Sequence, residues 1–186
     1  MQNYTKRNSQ TDLRRVRITQ PVGALFQSAA ALYERAFPPI ERRDLADCIR
    51  ILADGRFHMD ALVSEGNFAG IAFYWLGEEF LYFEHFAIEE SLRGRGLGGA
   101  ALALLRSDYG KNVVLEIEPP EWGATATRRK SFYEREGFAL NSYRHVQLKY
   151  RAGDGDCELR VMSSEPLTQA GYAAFRAFLD GTVAHA

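Results

Sequence analysis

The segment from Glu84 to Leu105 constrains the fold more than any other part of the chain. It reads EHFAIEESLRGRGLGGAALALL: an apolar stretch typical of a strand, a short polar turn with closely spaced glycines, and an apolar run with helical spacing. A glycine-rich turn that opens a helix leaves several N–H groups without carbonyl partners, at the positive end of the helix dipole. Such groups bind phosphate without help from a particular side chain. The segment therefore predicts a phosphorylated cofactor.

One known phosphate-binding loop, the dinucleotide-binding turn, partly fits this segment. Gly94, Gly96 and Gly99 spell the dinucleotide-binding pattern Gly-x-Gly-x-x-Gly, and Glu116 follows about twenty residues later, as that pattern expects. However, residues 89–93 separate the strand from the first glycine, and too little chain follows for a doubly wound domain. A Walker A loop is excluded because no Gly-Lys-Ser/Thr sequence follows the turn.

A family resemblance accounts for the turn better. Arg93-x-x-Gly96-x-Gly98, between a strand and an amphipathic helix, resembles the acetyl-CoA-binding motif of the GNAT superfamily of N-acetyltransferases. The sequence SFYEREGF at 131–138 resembles that family's Tyr-Glu-x-x-Gly-Phe segment. The two motifs occur in the family's order, with the strand-like Val113–Glu118 between them. The resemblance extends roughly from Arg14 to Ser163.

The resemblance implies a mixed α/β (α+β) GNAT-like fold. Its central sheet would be seven-stranded and mostly antiparallel, with one parallel pair that splays apart and helices on both faces. Periodicity predicts helices over 22–37, 41–53, 97–109, 125–136 and 167–179, and strands over 13–19, 57–64, 67–76, 80–88, 113–118, 139–150 and 156–163. We expect one domain from 13 to 186, preceded by a disordered tail at 1–12.

Glu84 is the first candidate for the general base. An amine with a pKa of about 10.4 is almost entirely protonated at pH 7, and a carboxylate can take up its proton. The strand around Glu84 is apolar on both faces, and alternation places this carboxylate on the same face as Tyr82 and Phe86, opposite His85. In the family that face commonly carries the base. The structural alternative is an ion pair between Glu84 and an arginine or lysine.

Two further residues are candidates for the chemistry. Glu116, in the neighbouring strand, is the rival base, because some family members carry a catalytic glutamate there. Tyr133 matches the tyrosine that acts as general acid towards the coenzyme A sulfur in the family, although a tyrosine at such a helical position is often only a core residue.

The resemblance also implies the cofactor site. A β-bulge near Phe86, Ala87 and Ile88 would offer free backbone groups to the pantetheine arm. The turn would then surround the pyrophosphate through Arg93, Gly94, Arg95, Gly96, Leu97, Gly98 and Gly99. Many family members carry an asparagine near the start of the following helix, where this chain has Gly123-Ala124-Thr125.

Composition restricts the remaining possibilities. The chain has 186 residues, 46% hydrophobic and 25% charged, with a net charge of −1, which gives no electrostatic support for binding nucleic acid or a membrane surface. The N-terminus is polar and no apolar run reaches the length of a membrane span. Two cysteines and four dispersed histidines indicate neither a disulfide framework nor a metal site. We expect a cytoplasmic protein, and a homodimer is compatible with the sequence.

These observations predict an N-acetyltransferase that transfers the acetyl group of acetyl-CoA directly to an amine acceptor, without a metal. The alternative is a catalytically inactive CoA-binding sensor or interaction module of the same fold. Arg42 and Arg43 could hold a carboxylate of the acceptor, but a charged helix face explains them equally well. No residue identifies the acceptor as a small molecule or a protein amine.

Overall fold

The computed structural model describes residues 12–186, so the tail expected at 1–12 lies outside the described residues except for Asp12. The strands are β1 (Leu13–Ile18), β2 (Phe57–Ser64), β3 (Asn67–Leu76), β4 (Phe80–Ile88), β5 (Asn112–Ile117), β6 (Ala139–Leu140), β7 (His145–Val146) and β8 (Glu158–Ser163). The helices are α1 (Ala24–Ala36), α2 (Leu45–Arg50), α3 (Leu97–Tyr109), α4 (Ala124–Arg135) and α5 (Gln169–Gly181). Within residues 12–186, no helix combines the length and the apolar character needed to cross a membrane.

The sheet has the order β1-β2-β3-β4-β5-β8-β6, and the short β7 also pairs with β8. All described pairs are antiparallel except β4 with β5. The predicted mixed fold with one parallel pair is therefore confirmed, with an eighth strand beside the seven along the path. A mostly antiparallel sheet also rules out the doubly wound dinucleotide-binding domain.

The prediction of one continuous strand over 139–150 is wrong in detail, because the strand is interrupted after β6. The Asn141 side chain donates to Ser163 Oγ at 2.8 Å and accepts from the backbone N–H of Leu167 at 2.9 Å. Asparagine side chains that bond in this way compete with regular strand pairing. The chain rejoins the sheet only at β7.

The extent predicted for the helix over 41–53 is also wrong, because α2 covers only the central residues of that range. Single 3₁₀ turns at Pro39–Glu41 and Ile51–Ala53 flank it. The backbone carbonyl of Arg43 accepts a hydrogen bond from the Tyr33 hydroxyl at 3.1 Å, and Arg42 and Asp44 are extended. These contacts keep residues 42–44 out of the helix.

Two apolar layers cover the sheet. One layer packs α1, α2 and α5 against one face, through side chains such as Leu32, Cys48 and Phe175. The other packs α3 and α4 against the opposite face, through side chains such as Leu102 and Tyr133. The helices therefore cover both faces of the sheet, and the candidate site lies at a break within the sheet.

That break lies between β4 and β5. Only Phe80–Phe83 of β4 pair with β5, where their partners are Asn112–Leu115. Beyond this point β4 continues to Ile88 along β3, while β5 continues along β8. The sheet opens between them on the side where both strands end.

Away from this opening, an arginine–aspartate cluster joins β1 to β2. The Asp60 carboxylate bonds Arg15 and Arg17 and accepts from the Tyr74 hydroxyl at 2.9 Å, and its side chain is 1% exposed. Arg15 also bonds Asp108 of α3, whose side chain is 38% exposed. Asp60 is thus the buried countercharge for two arginines, and Asp108 is a peripheral one.

We predict that Asp60→Asn lowers the free energy of unfolding by about 3 kcal/mol, because it leaves Arg17 without a carboxylate partner and Arg15 with only the more exposed Asp108. Urea unfolding measures this loss. Asp108→Asn is the matched control and should cost less than about 1 kcal/mol, since its ion pair is largely exposed. Equal losses of unfolding free energy in the two variants would contradict the prediction that the buried carboxylate contributes more than the exposed one.

Candidate active site

The opening between β4 and β5 forms a cleft of about 580 Å³. The predicted catalytic residues Glu84, Glu116 and Tyr133 all line it. So do all the predicted cofactor-binding residues except Arg95: Phe86, Ala87, Ile88, Arg93, Gly94, Gly96, Leu97, Gly98 and Gly99. The fold thus brings two distant sequence motifs to one space.

The glycine turn presents its backbone amides to this cleft. Gly94 and Gly96 have φ angles of 76° and 79°, which side-chain-bearing residues rarely adopt. The first helical bond of α3 runs from the N–H of Ala100 to the carbonyl of Gly96 at 3.0 Å. Within residues 12–186, the N–H groups of 94–99 have no protein acceptor. This row of free donors fits a phosphate group.

The end of β4 forms one wall of the cleft. Its outer edge carries no strand because β5 has diverged, so its free backbone groups can pair with an extended ligand. Gly70 of β3 lies against this end: a Cβ atom there would come within 2.4 Å of the Ala87 carbonyl oxygen. Gly70 was not among the residues predicted for the site, although a glycine inside a strand often marks a close backbone approach.

The β-bulge lies earlier than expected, which corrects the prediction for Phe86–Ile88. Phe73 pairs with His85 and Tyr74 pairs with Phe83, so Glu84 is the extra residue. The bulge reverses the alternation of side chains after this point.

The faces predicted for β4 are therefore partly wrong. His85 packs 4.8 Å from the Tyr33 ring, on the α1 face together with Glu84, and not opposite to it. Phe86 packs 5.2 Å from Phe83 on the other face. Of the two residues predicted to share the face of Glu84, Tyr82 does so and Phe86 does not.

The side chain of Glu84 is buried, and both of its carboxylate oxygens accept hydrogen bonds. Oε1 accepts from Arg43 Nε at 2.9 Å and Oε2 from Trp75 Nε1 at 2.7 Å, and the side chain is 1% exposed. Burial acts to raise the pKa of this carboxyl group, but the charges of Arg43 and His85 and the two hydrogen bonds outweigh it, and the pKa falls below its ordinary value. This geometry is the ion pair with an arginine that was the alternative to a catalytic role for Glu84. The catalytic role of Glu84 stays a prediction.

Of the two arginines considered for the acceptor, Arg43 is already paired with a carboxylate, whereas Arg42 bonds only backbone carbonyl groups among residues 12–186. Arg43 is 6% exposed and bonds the Val183 carbonyl in addition to Glu84. Arg42 donates from Nε to the Phe37 carbonyl at 3.1 Å and lies over the Tyr33 ring.

Glu116 faces the same layer from β5. Its Oε2 accepts from the Tyr82 hydroxyl at 2.5 Å, its Oε1 bonds His145 Nε2, and its side chain is 9% exposed. His145 is buried, and its Nδ1 lies 3.0 Å from the Tyr172 hydroxyl, which fixes the orientation of the ring. Neither contact was predicted from the sequence, because only the tertiary fold brings Tyr82 and His145 to Glu116.

Tyr133 lies where α4 meets the cleft. Its ring packs against Phe132 and Phe138 at centroid distances of 5.0 and 5.5 Å. Burial raises the pKa of Tyr133 to about 12, with Arg129 acting against this shift and Glu118 adding to it. Its hydroxyl has no hydrogen-bond partner in the described part of the chain, and the residue lines the cleft. The hydroxyl is therefore a neutral donor at physiological pH.

A smaller cavity of about 50 Å³ adjoins the cleft. The two share Phe37, Glu84, Glu116 and Arg129 as lining residues. The rest of its wall consists of Glu41, Ile117, Glu118, Gln147, Tyr150 and Leu159. Among residues 12–186, no group of three or more His, Cys, Asp or Glu side chains is placed to hold a metal ion.

A mostly antiparallel sheet with one diverging parallel pair, and a glycine turn at the opening, define an acyltransferase-type fold. A candidate acetyltransferase of the GNAT family from Bacteroides thetaiotaomicron superposes with a TM-score of 0.85 at 30% identity, over 93% of this chain and 99% of that one. The chain belongs to the GNAT family of acetyltransferases.

Other comparisons find the same fold, or similarity over part of the chain. A GNAT acetyltransferase from Elizabethkingia anophelis with acetyl-CoA bound has a TM-score of 0.54 at 13% identity, over 83% of this chain and 98% of that one, and shares the fold. YjbC, a candidate acetyltransferase of Bacillus subtilis, is 36% identical over 62 residues, which are 33% of this chain and 32% of that protein. The chain thus matches about a third of the length of YjbC. No family model matches the chain.

Proposed function

We propose that this protein is an acetyl-CoA-dependent N-acetyltransferase that transfers the acetyl group directly to an amine, with residues 13–186 as one catalytic domain. The observation that carries the proposal is the cleft itself. Free amides of the glycine turn, the open edge of β4, the Glu116 carboxylate and the Tyr133 hydroxyl all border the same space.

Acetyl-CoA would occupy the cleft as substrate. The amides of 94–99 would bind its pyrophosphate, with Arg93 beside them, and the open edge of β4 would bind its pantetheine arm. The Arg93 Nε donates to the Ile88 carbonyl at 3.2 Å, which fastens the turn to the end of β4. The related fold from Elizabethkingia anophelis, described with acetyl-CoA bound, supports this assignment.

We expect acetyl-CoA at 100 times its Kd to stabilise the protein by about 2.7 kcal/mol. Gly96→Leu should abolish most of this gain, because its φ of 79° strains a leucine and the side chain would occupy the phosphate space. Thermal unfolding with acetyl-CoA, CoA and NAD measures the effect. Stabilisation by NAD but not by CoA would contradict the proposal.

We propose Glu116 as the general base in preference to Glu84. Glu84 is tied to a permanent cation, which lowers its pKa and its affinity for a proton. Glu116 is held by a tyrosine and a histidine instead, and its side chain is more exposed. Carboxylates keep further lone pairs when they accept one bond per oxygen, so Glu116 can still accept a proton from the amine, directly or through water.

Glu116→Gln should lower kcat by about 10²-fold while acetyl-CoA binding is retained. The loss should shrink as pH rises, because the free amine becomes abundant.

Glu84→Gln should act mainly on stability, with a loss of about 3 kcal/mol in the free energy of unfolding, since it leaves Arg43 buried without its countercharge. That contribution requires an ionised Glu84, so it is present at neutral pH and disappears as pH falls through the lowered pKa.

Rate–pH profiles and unfolding curves for both variants distinguish the two roles. A stable Glu84→Gln protein with a large loss of kcat, beside a fully active Glu116→Gln protein, would return the role of base to Glu84.

We propose Tyr133 as the general acid that protonates the departing thiolate of CoA. Tyr133→Phe keeps the ring packing and removes only the donor, so kcat should fall by up to about 10²-fold with the melting temperature and CoA affinity unchanged. Phe132→Leu on the same helix is a control for packing, and it should change stability more than the chemical step. Unchanged single-turnover rates in Tyr133→Phe would make this tyrosine a packing residue.

A further inference from the structure

A chain of hydrogen bonds connects the cleft to the surface beside α5 through Glu116. Oε1 of Glu116 bonds Nε2 of His145, and Nδ1 of the same ring lies 3.0 Å from the Tyr172 hydroxyl oxygen. That hydroxyl donates to the backbone carbonyl of Arg144 at 3.0 Å, where the chain of bonds reaches the protein surface. The side chain of His145 is fully buried, so these two partners account for both of its ring nitrogens.

The directions of these bonds require a proton between Glu116 and His145. A carbonyl oxygen only accepts, so the single hydroxyl proton of Tyr172 points to Arg144. Nδ1 of His145 must then be the donor to the Tyr172 oxygen. A neutral imidazole has one N–H only, which would leave a bare Nε2 facing a bare carboxylate oxygen. The arrangement therefore contains a second proton, shared by Nε2 and Oε1, and is the protonated form of the Glu116–His145 pair.

Loss of one proton leads to a second arrangement of the same side chains. The Nδ1 proton passes to the Tyr172 oxygen while the Tyr172 hydroxyl proton passes to a water molecule. The new hydroxyl proton then points to Nδ1, and Nε2–H donates to an ionised Glu116. The Arg144 carbonyl loses its partner, but Arg144 is exposed and water can replace it. The pair can therefore exchange its proton with water at residues that do not line the cleft.

No second carboxylate bonds His145 in the described part of the chain. Tyr82, from β4, donates to Oε2 of Glu116 and not to the ring, and Phe175 stacks on the imidazole with a centroid distance of 6.0 Å. Charged groups of the neighbouring α5 and β8 are bonded elsewhere: Arg176 to Asp180, and Glu158 to Arg160. The charge on His145 is thus coupled chiefly to Glu116.

We propose that His145 is a positioning residue that controls the basicity of Glu116. In the protonated form the pair already holds a proton, and Glu116 is a poor acceptor for another. Once that proton has left through Tyr172, the neutral ring still orients Glu116, whose carboxylate can take the proton of a bound ammonium group. Glu84 has no such second form, because Arg43 stays charged. The inference rests on the proposed function, because it deepens the role of Glu116 in the same site.

The first measurement does not depend on catalysis. Nitrogen NMR of the imidazole groups, with His145→Gln to assign the signals, follows both ring nitrogens from about pH 5 to about pH 9, which spans the range in which histidine usually ionises. Both nitrogens should carry protons at the acid end, and Nδ1 alone should lose its proton as pH rises. In Glu116→Gln the neutral ring should persist to lower pH, because the carboxylate that favours the charged ring is gone.

Three results of this titration would overturn the proposal. They are a neutral ring that keeps its proton on Nδ1, a ring that stays in one protonation state over the whole span, and a titration that Glu116→Gln leaves unchanged.

The second measurement compares single-turnover rates of acetyl transfer in the wild type and in His145→Gln, with whichever of n-butylamine, L-lysine and a free peptide N-terminus is acetylated fastest. Glutamine can donate to Glu116 and accept from Tyr172, but it cannot ionise. The ratio of the variant's rate to the wild-type rate should therefore rise by about tenfold per pH unit on the acid side, and protonation of the amine cancels in this ratio. His185 is exposed, and His185→Gln is the matched control, whose ratio should stay constant with pH.

Together the two measurements separate this inference from the transferase proposal. The expected titration of His145, in a protein that neither binds acetyl-CoA nor acetylates an amine, would support the coupled pair and overturn the transferase. Acetylation with a ratio that stays constant in His145→Gln would overturn the role of His145 and leave the transferase proposal standing. If His145→Gln does not fold, the titration in the wild type and in Glu116→Gln decides.

Discussion

The divergence of β4 from β5 is the constraint on which the rest of the structure depends. Backbone N–H and C=O groups inside a sheet need partners, and separation of two central strands removes them. The bulge at Glu84 and the free amides of the glycine turn both lie at this opening. An extended ligand with a phosphate group can satisfy these groups, so the same break both weakens the sheet and creates the binding cleft.

The two glutamates of the cleft show how partners distinguish similar side chains. Glu84 and Glu116 face the same layer from neighbouring strands, and each accepts two hydrogen bonds. The partner of Glu84 is Arg43, which cannot give up its proton, whereas Glu116 lies between Tyr82 and a histidine. The pair with Arg43 also ties β4 to the approach of α2, which gives Glu84 a structural role at the floor of the site.

Local sequence predicted the elements around the cleft more accurately than their contacts. The bounds predicted for β2, β3, β4 and α3 agree with the structure, because alternation, turn residues and glycine at helix ends act over a few residues. The bulge was misplaced because one inserted residue leaves the composition of a strand unchanged. The partners of Glu84 and Glu116 come from segments far apart in sequence, such as Arg43 and His145, and only packing brings them together.

Gly70 gives the cleft a means of adjustment that no lining residue provides. It stands behind β4, where its missing side chain allows the two strands to approach. A larger residue at this position would push Ala87 outwards and narrow the groove from behind, with every ligand-facing side chain intact. A substitution at Gly70 could therefore change the width of the cleft from a position that does not line it.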